Sequence, residues 1–212
     1  MVRWTLFLAL LLGLVFNSAF HGPVLQKDPW AELEKGLELC DVEISTYESY
    51  CFISESEQGQ IASAAGLPEI DSGGEPDCCW TAQGGYENGE VLLRVFGTNR
   101  TACSNLWRRI DEAAGCCGGT GTRAWAVEGY LEGSHNLAVL GENLVQVLGG
   151  RLQQLYRGPG MVQVLAYLPW AGEGFMLDHS PVNLDLELYE DTYRKKIKIR
   201  LGVPVLLSLS KG

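Results

Sequence analysis

Apolar and polar positions change period several times along the chain, and each change predicts an element. Asp28-Pro29-Trp30 opens a helix: Asp caps the free amides, Pro suits the first helical position, and Trp30, Leu33 and Leu37 share one face. The period then drops to two. Val42, Ile44 and Thr46 alternate with Asp41, Glu43 and Ser45, and Tyr50 and Phe52 continue the parity, which predicts a strand burying its even positions. Ser54 with Glu57 three residues later is a capping box for an Ala-rich helix through Ile61, Ala64 and Ala65 that stops at Gly66. Residues 69–77 read as an acidic, Gly-containing linker. Asn88-Gly89 between 80–87 and 90–96 is the signature of a two-residue hairpin. Thr101 or Ser104 opens another helix through Leu106 and Ile110, closed by Gly115, and a strand is predicted over 122–131.

The second half carries the longest apolar stripe. Leu137, Leu140, Leu144, Leu148, Leu152 and Leu155 predict a helix over 136–156, weakened by Gly141, Gly149 and Gly150. A strand follows over 161–168, then a Pro- and Gly-rich loop over 169–181. In the closing hairpin Val182, Leu184, Leu186 and Leu188 alternate with Asn183, Asp185 and Glu187, and Ile197, Ile199 and Leu201 alternate with Lys196, Lys198 and Arg200. A turn at Asp191-Thr192 predicts Leu186 opposite Ile197 and Leu184 opposite Ile199 on the buried face. It also sets Glu187 opposite Lys196 and Asp185 opposite Lys198 on a solvent face. The order helix, strand, helix, strand, strand up to Phe96 begins again at Thr101. That order predicts an α+β fold from a duplicated unit, with helices on one side of an antiparallel sheet. The two repeats would span 23–98 and 99–212, packed as one globular unit.

The N-terminus changes the setting. Arg3 followed by an uncharged run from Trp4 to Phe16 has the form of an export signal within residues 1–20. Asn17-Ser18-Ala19 departs from the small-x-small pattern that signal peptidase prefers, and the run to Phe20 approaches the ~17-residue lower limit for crossing a bilayer. Cleaved signal and retained membrane anchor are therefore both open. Either places the remainder outside the cytoplasm, secreted or anchored. The net charge of −10 repels phosphate backbones and argues against sequence-independent nucleic-acid binding.

Seven cysteines (Cys40, Cys51, Cys78, Cys79, Cys103, Cys116 and Cys117) include two vicinal pairs. An odd count and vicinal pairs, which rarely bridge internally, predict little stabilisation from disulfides. The best partners lie across the 78–79 and 116–117 pairs, if those segments are neighbours. There is no C-x-x-C spacing, and His21, His135 and His179 are remote from the cysteines in sequence, which is weak ground for zinc. Gly118-Gly119-Thr120-Gly121 lacks the Gly-Lys-Ser/Thr ending of a phosphate loop and precedes a strand. Asp178-His179-Ser180 is contiguous, whereas a triad needs groups converging from separate elements, so it reads as a turn before Pro181. No cofactor is called for, and no catalytic residue stands out.

What remains is a candidate interaction surface. Trp170 and Phe175 sit in a loop otherwise polar, and Arg194, Lys195, Lys196, Lys198 and Arg200 form the one basic concentration. The competing structural reading of the basic run is a cross-strand ladder with Asp185 and Glu187, which leaves Arg194 and Lys195 without assigned acids.

The stretch Asn183-Leu184-Asp185-Leu186-Glu187-Leu188-Tyr189, then Thr192, 197–201 and Gly202-Val203-Pro204-Val205, resembles the closing hairpin of the YwmB-like family. The family pattern there is Asn-Leu-Gln-x-Ala-Leu-Arg-Tyr, a Thr-containing return strand, and Gly-Thr-Pro before aliphatics. Val127-Glu128-Gly129-Tyr130-Leu131-Glu132-Gly133 and the helix before 162–168 are also similar. Val203 stands where the family has Thr, and Glu187 where it has Ala. The resemblance implies a two-repeat fold akin to TATA-box-binding protein, in an exported protein of Gram-positive-type bacteria with no established activity. The combined expectation is a non-catalytic envelope module binding another protein or a polymer; the alternative is an envelope hydrolase with an acidic site.

Overall fold

The computed structural model describes residues 28–67, 72–75, 77–84, 90–116, 123–172 and 174–204, leaving aside the side chains of 72–75 and 116. The signal segment 1–20, the Asn88-Gly89 turn and the 118–121 glycine run lie outside these residues. The fold is α+β, with four helices and a nine-stranded antiparallel sheet in the order β2-β3-β4-β1-β5-β11-β10-β7-β6. The helices are α1 (Pro29–Glu38), α2 (Glu55–Ala64), α3 (Arg100–Cys116) and α4 (Leu137–Val147). The strands are β1 (Glu43–Ser54), β2 (Ser72–Glu75), β3 (Cys78–Gln83), β4 (Glu90–Gly97), β5 (Arg123–Glu132), β6 (Arg151–Gly158), β7 (Met161–Tyr167), β10 (Leu184–Asp191) and β11 (Lys196–Val203). A separate small hairpin is formed by β8 (Phe175–Leu177) and β9 (Ser180–Val182).

Local chemistry accounts for the helix ends. The Asp28 side chain accepts from Trp30 N at 3.0 Å, the Ser54/Glu57 capping box is formed, and Asn136 accepts from Ala138 N and Val139 N. For α3 the cap is Asn99, whose side chain accepts from Ala102 N at 3.1 Å, so the helix starts at Arg100, before the Thr101 or Ser104 expected. Trp30 ties α1 to the sheet centre, its indole N–H donating to Glu48 O (2.9 Å) on β1 and Ala126 O (3.1 Å) on β5.

Five expectations are corrected. The Leu stripe over 136–156 is a helix followed by a strand. Gly149 at φ +73° lets Gly150 N reach Val145 O (2.8 Å) and Gly149 N reach Gln146 O (3.0 Å), which closes α4 and sends Leu152 and Leu155 into β6. In β1 a bulge between Ile44 and Thr46 flips the parity. Tyr47, Ser49, Cys51 and Ile53 therefore face the core, and Glu48, Tyr50 and Phe52 face the other way. The 69–77 linker contains β2, which pairs with β3 through its backbone. The 169–181 loop contains the β8–β9 hairpin, whose two turn residues Asp178 and His179 both have positive φ, +47° and +67°.

The fifth correction concerns the closing hairpin. Its turn spans 192–195 instead of two residues, and the register is Leu186↔Leu201, Leu188↔Ile199, Glu187↔Arg200 and Tyr189↔Lys198. The displacement is even-numbered, so the apolar parity survives while every individual pair changes. Asp185 lies opposite Gly202 and is buried, against the expectation that it faces water with Lys198.

Leu184, Leu186 and Leu188, Ile197, Ile199, Leu201 and Val203, and Val162, Val164 and Ala166 join buried residues of all four helices in one core. Gly141 of α4 permits the close approach: a β-carbon there would lie 2.8 Å from Val164 Cγ2. The opposite, helix-free face of the sheet carries Glu48, Arg94, Lys196, Lys198 and Arg200.

Candidate functional site on the helix-free face

The even positions of β1 from Thr46 onward, those of β4, β5 and β11, and the odd positions of β10 and β7 share this face. Near its middle Glu48 is 5% exposed, although it is a carboxylate. It accepts from Arg200 Nη2 at 3.0 Å, from Arg94 and from the Tyr50 hydroxyl, and Arg200 also donates to Tyr50 OH at 2.7 Å. Arg94 stacks over Phe96, 4.5 Å from the ring centroid. Burial alone pushes the Glu48 carboxyl up, but the Tyr50 hydrogen bond and the Arg94 and Arg200 charges outweigh it and hold it below the usual range. Tyr50 is pushed up by burial and by Glu48.

Three strands away from Glu48, Asp185 is 2% exposed and accepts from Gln163 Nε2 at 2.9 Å. Burial and then Glu187 raise its carboxyl to about 6, against the Gln163 bond and Arg200, which lower it. The folded state therefore holds this proton more tightly than the unfolded chain, whose ordinary value is 3.8. Stability from this group is full below about pH 4 and is lost as pH rises to about 6. Asp185→Asn removes that dependence. Urea titrations of both proteins between pH 4.5 and 7.5 should show the wild type losing about 1–3 kcal/mol relative to the variant as pH rises. A constant difference across that range would contradict the assignment.

The basic strand is matched with acids, though not those of its own hairpin alone. Lys196 pairs with Glu132 (2.6 Å), Lys198 with Glu128 (2.9 Å) and Arg200 with Glu48, so the acids come from β5 and β1. Arg200 also lies opposite Glu187. The rest of the candidate surface divides. Trp170 is half-buried and donates its indole N–H to Leu148 O at 3.1 Å, which gives it a structural role. Phe175 is half-buried on β8, beside Met176, which is 65% exposed. Arg194 lies over the Tyr130 ring at 5.7 Å and reaches Asp191 at 3.8 Å. Lys195, at φ +55°, has no ion-pair partner among the described residues. Tyr193 beside it is 95% exposed.

The site residues that sequence reasoning missed are Glu48, Tyr50, Arg94 and Gln163. The bulge in β1 hid the first two, and the odd-position run Tyr47, Cys51, Ile53 was the available signal. A separate open hollow of about 450 Å³, lined by Glu34, Tyr47, Asp77 and 98–101, lies away from this cluster, and Glu34 there pairs with Arg100 at 2.7 Å. Among the described residues no three His, Cys, Asp or Glu side chains gather as metal ligands, and no helix is long and apolar enough to cross a membrane. No family model matches the chain, and no curated protein matches it.

Proposed function

We propose that the chain is an exported cell-envelope protein acting as a non-catalytic binding module, which docks an anionic envelope polymer on the 192–195 turn. The observation that carries this reading is the division of the basic segment. Lys196, Lys198 and Arg200 are tied to Glu132, Glu128 and Glu48, whereas the turn offers to solvent Tyr193, Arg194, whose nearest acid Asp191 lies 3.8 Å away, and Lys195, which has no ion-pair partner among the described residues. A fully exposed aromatic beside two cations, in a chain of net charge −10, is a local exception to the charge balance.

The YwmB-like and TATA-box-binding-protein-like assignment is part of the same proposal. It is supported by element order. Each half runs helix, strand, helix and then a meander whose last strand (β4, β11) returns to pair with the first (β1, β5), and β1 and β5 meet at the centre. The alternative, an acid-based hydrolase, draws on one observation: Asp185 and Glu187 are neighbouring buried carboxyls, one with a raised pKa.

Retention of the 23–212 protein on immobilised linear polyphosphate tests the reading. Wild type should be retained at low ionic strength and released toward 1 M salt, where the Debye length falls to about 3 Å. Arg194→Glu with Lys195→Glu should abolish retention while moving the melting temperature by under about 2 °C, as surface substitutions do. Equal retention of both proteins would refute the turn as the docking element.

A further inference from the structure

Cys78 on β3 and Cys103 on α3 are 25 positions apart in sequence and both are buried, at 2% and 0% exposure. The two side chains meet: Cys103 hydrogen-bonds the Cys78 side chain. Gly97 lies between them. A β-carbon placed on it would be 2.8 Å from Cys78 Cα and 2.9 Å from Cys103 Sγ, so both cysteines close on the same point of the β4 backbone. The same β-carbon would lie 2.1 Å from Asp77 O, so glycine at 97 is what leaves room for the second thiol. Of the other described cysteines, Cys79 is the β3 neighbour of Cys78, Cys51 donates its thiol to Phe52 O at 3.5 Å, and Cys40 follows α1.

We infer that Cys78 and Cys103 are disulfide partners, joined when the chain folds in the presence of a small-molecule or protein disulfide. One thiolate attacks the oxidant RS–SR, forming a mixed disulfide and releasing RSH. The second thiolate then displaces RS⁻, which takes up a proton. Two S–H bonds are lost and one S–S bond forms, while RSSR is reduced to two RSH. The inference goes beyond the binding reading and does not depend on it. It departs from the odd-count argument, because only this pair needs to close and the remaining five cysteines are free to stay reduced. In the folded, reduced protein the Cys78 contact and burial push the Cys103 thiol up, so the thiolate is scarce and the pair keeps the state in which folding left it.

The test is refolding of the 23–212 protein with a glutathione/glutathione-disulfide couple, followed by alkylation and non-reducing peptide mass spectrometry. The expected product is a peptide linking Cys78 to Cys103, 2 Da lighter than the two thiol peptides together. Its melting temperature should exceed that of the reduced protein by about 6–12 °C, as expected for a bond closing a loop of this length in a domain of this size. In Cys78→Ala with Cys103→Ala that difference should vanish. Recovery of Cys78 and Cys103 as alkylated free thiols, or a bond from either to Cys79, Cys116 or Cys117, would overturn the pairing. Should the double variant fail to refold, the linked peptide in the wild type still decides the matter.

Discussion

Replacing Glu48 with Ala should lower stability by about 3 kcal/mol, measured by urea unfolding at neutral pH. The reason is the asymmetry of buried ion pairs: removing one partner leaves the others uncompensated, typically at a cost of about 3–5 kcal/mol. The lower end applies because the Arg94 and Arg200 side chains remain 38% and 23% exposed and keep part of their hydration. Glu48→Gln should cost less, since an amide oxygen still accepts from one arginine. Arg200→Met in the Glu48→Ala background should recover part of the loss, because one of the two unpaired guanidinium groups is gone. Stability contributed by Glu48 should also fade as pH falls through the carboxylate range, opposite in sign to Asp185, because its folded pKa is lowered. A loss under about 1 kcal/mol for Glu48→Ala would place the cluster among ordinary screened surface pairs.

The second large effect is in the core beneath the same strand. Leu186 is fully buried between Leu201 on β11 and Val164 on β7, under Gly141 of α4. Leu186→Ala should cost about 2–5 kcal/mol through lost burial and an unfilled cavity, because the close helix approach leaves little room for collapse. In a domain of this size that corresponds to a drop of roughly 5–15 °C in melting temperature. Lys198→Ala, which removes a partly exposed pair with Glu128, should cost under about 1 kcal/mol. Comparable losses for the two substitutions would mean that the face assignment of β10 and β11 is wrong.

Most of the elements were legible because their signals are local. Asp28, Ser54 and Asn136 cap helices through their own side chains, and strict alternation in 184–188 and 197–201 identifies the buried parity of the last two strands. What failed depended on long-range context. Leu152 and Leu155 continue a helical spacing, and only the Gly149 turn, docked by Gly150 against Leu168, converts them to a strand. The hairpin register could not be told from parity, because an even displacement preserves every apolar position. The Ser45 bulge follows from the pairing of β1 with β5, where Ser45 Oγ donates to Glu128 O at 3.1 Å, and within β1 its one trace is the odd-position run Tyr47, Cys51, Ile53. The candidate site suffered most from this. Its acids come from β1, β5 and β10, and the partners of the basic strand were sought only on the adjacent strand of the hairpin.

The central claim is that a polyanionic partner docks on the 192–195 turn and leaves the Asp185–Glu187 carboxyls untouched. Backbone amide shift mapping of the ¹⁵N-labelled 23–212 protein, titrated with linear polyphosphate, tests it most directly. The account predicts saturable shifts centred on Tyr193, Arg194 and Lys195, extending to Lys196 and to Tyr130 beneath the Arg194 guanidinium. Shifts concentrated at Gln163, Asp185 and Glu187 with the turn unmoved, or no shifts at all, would contradict it.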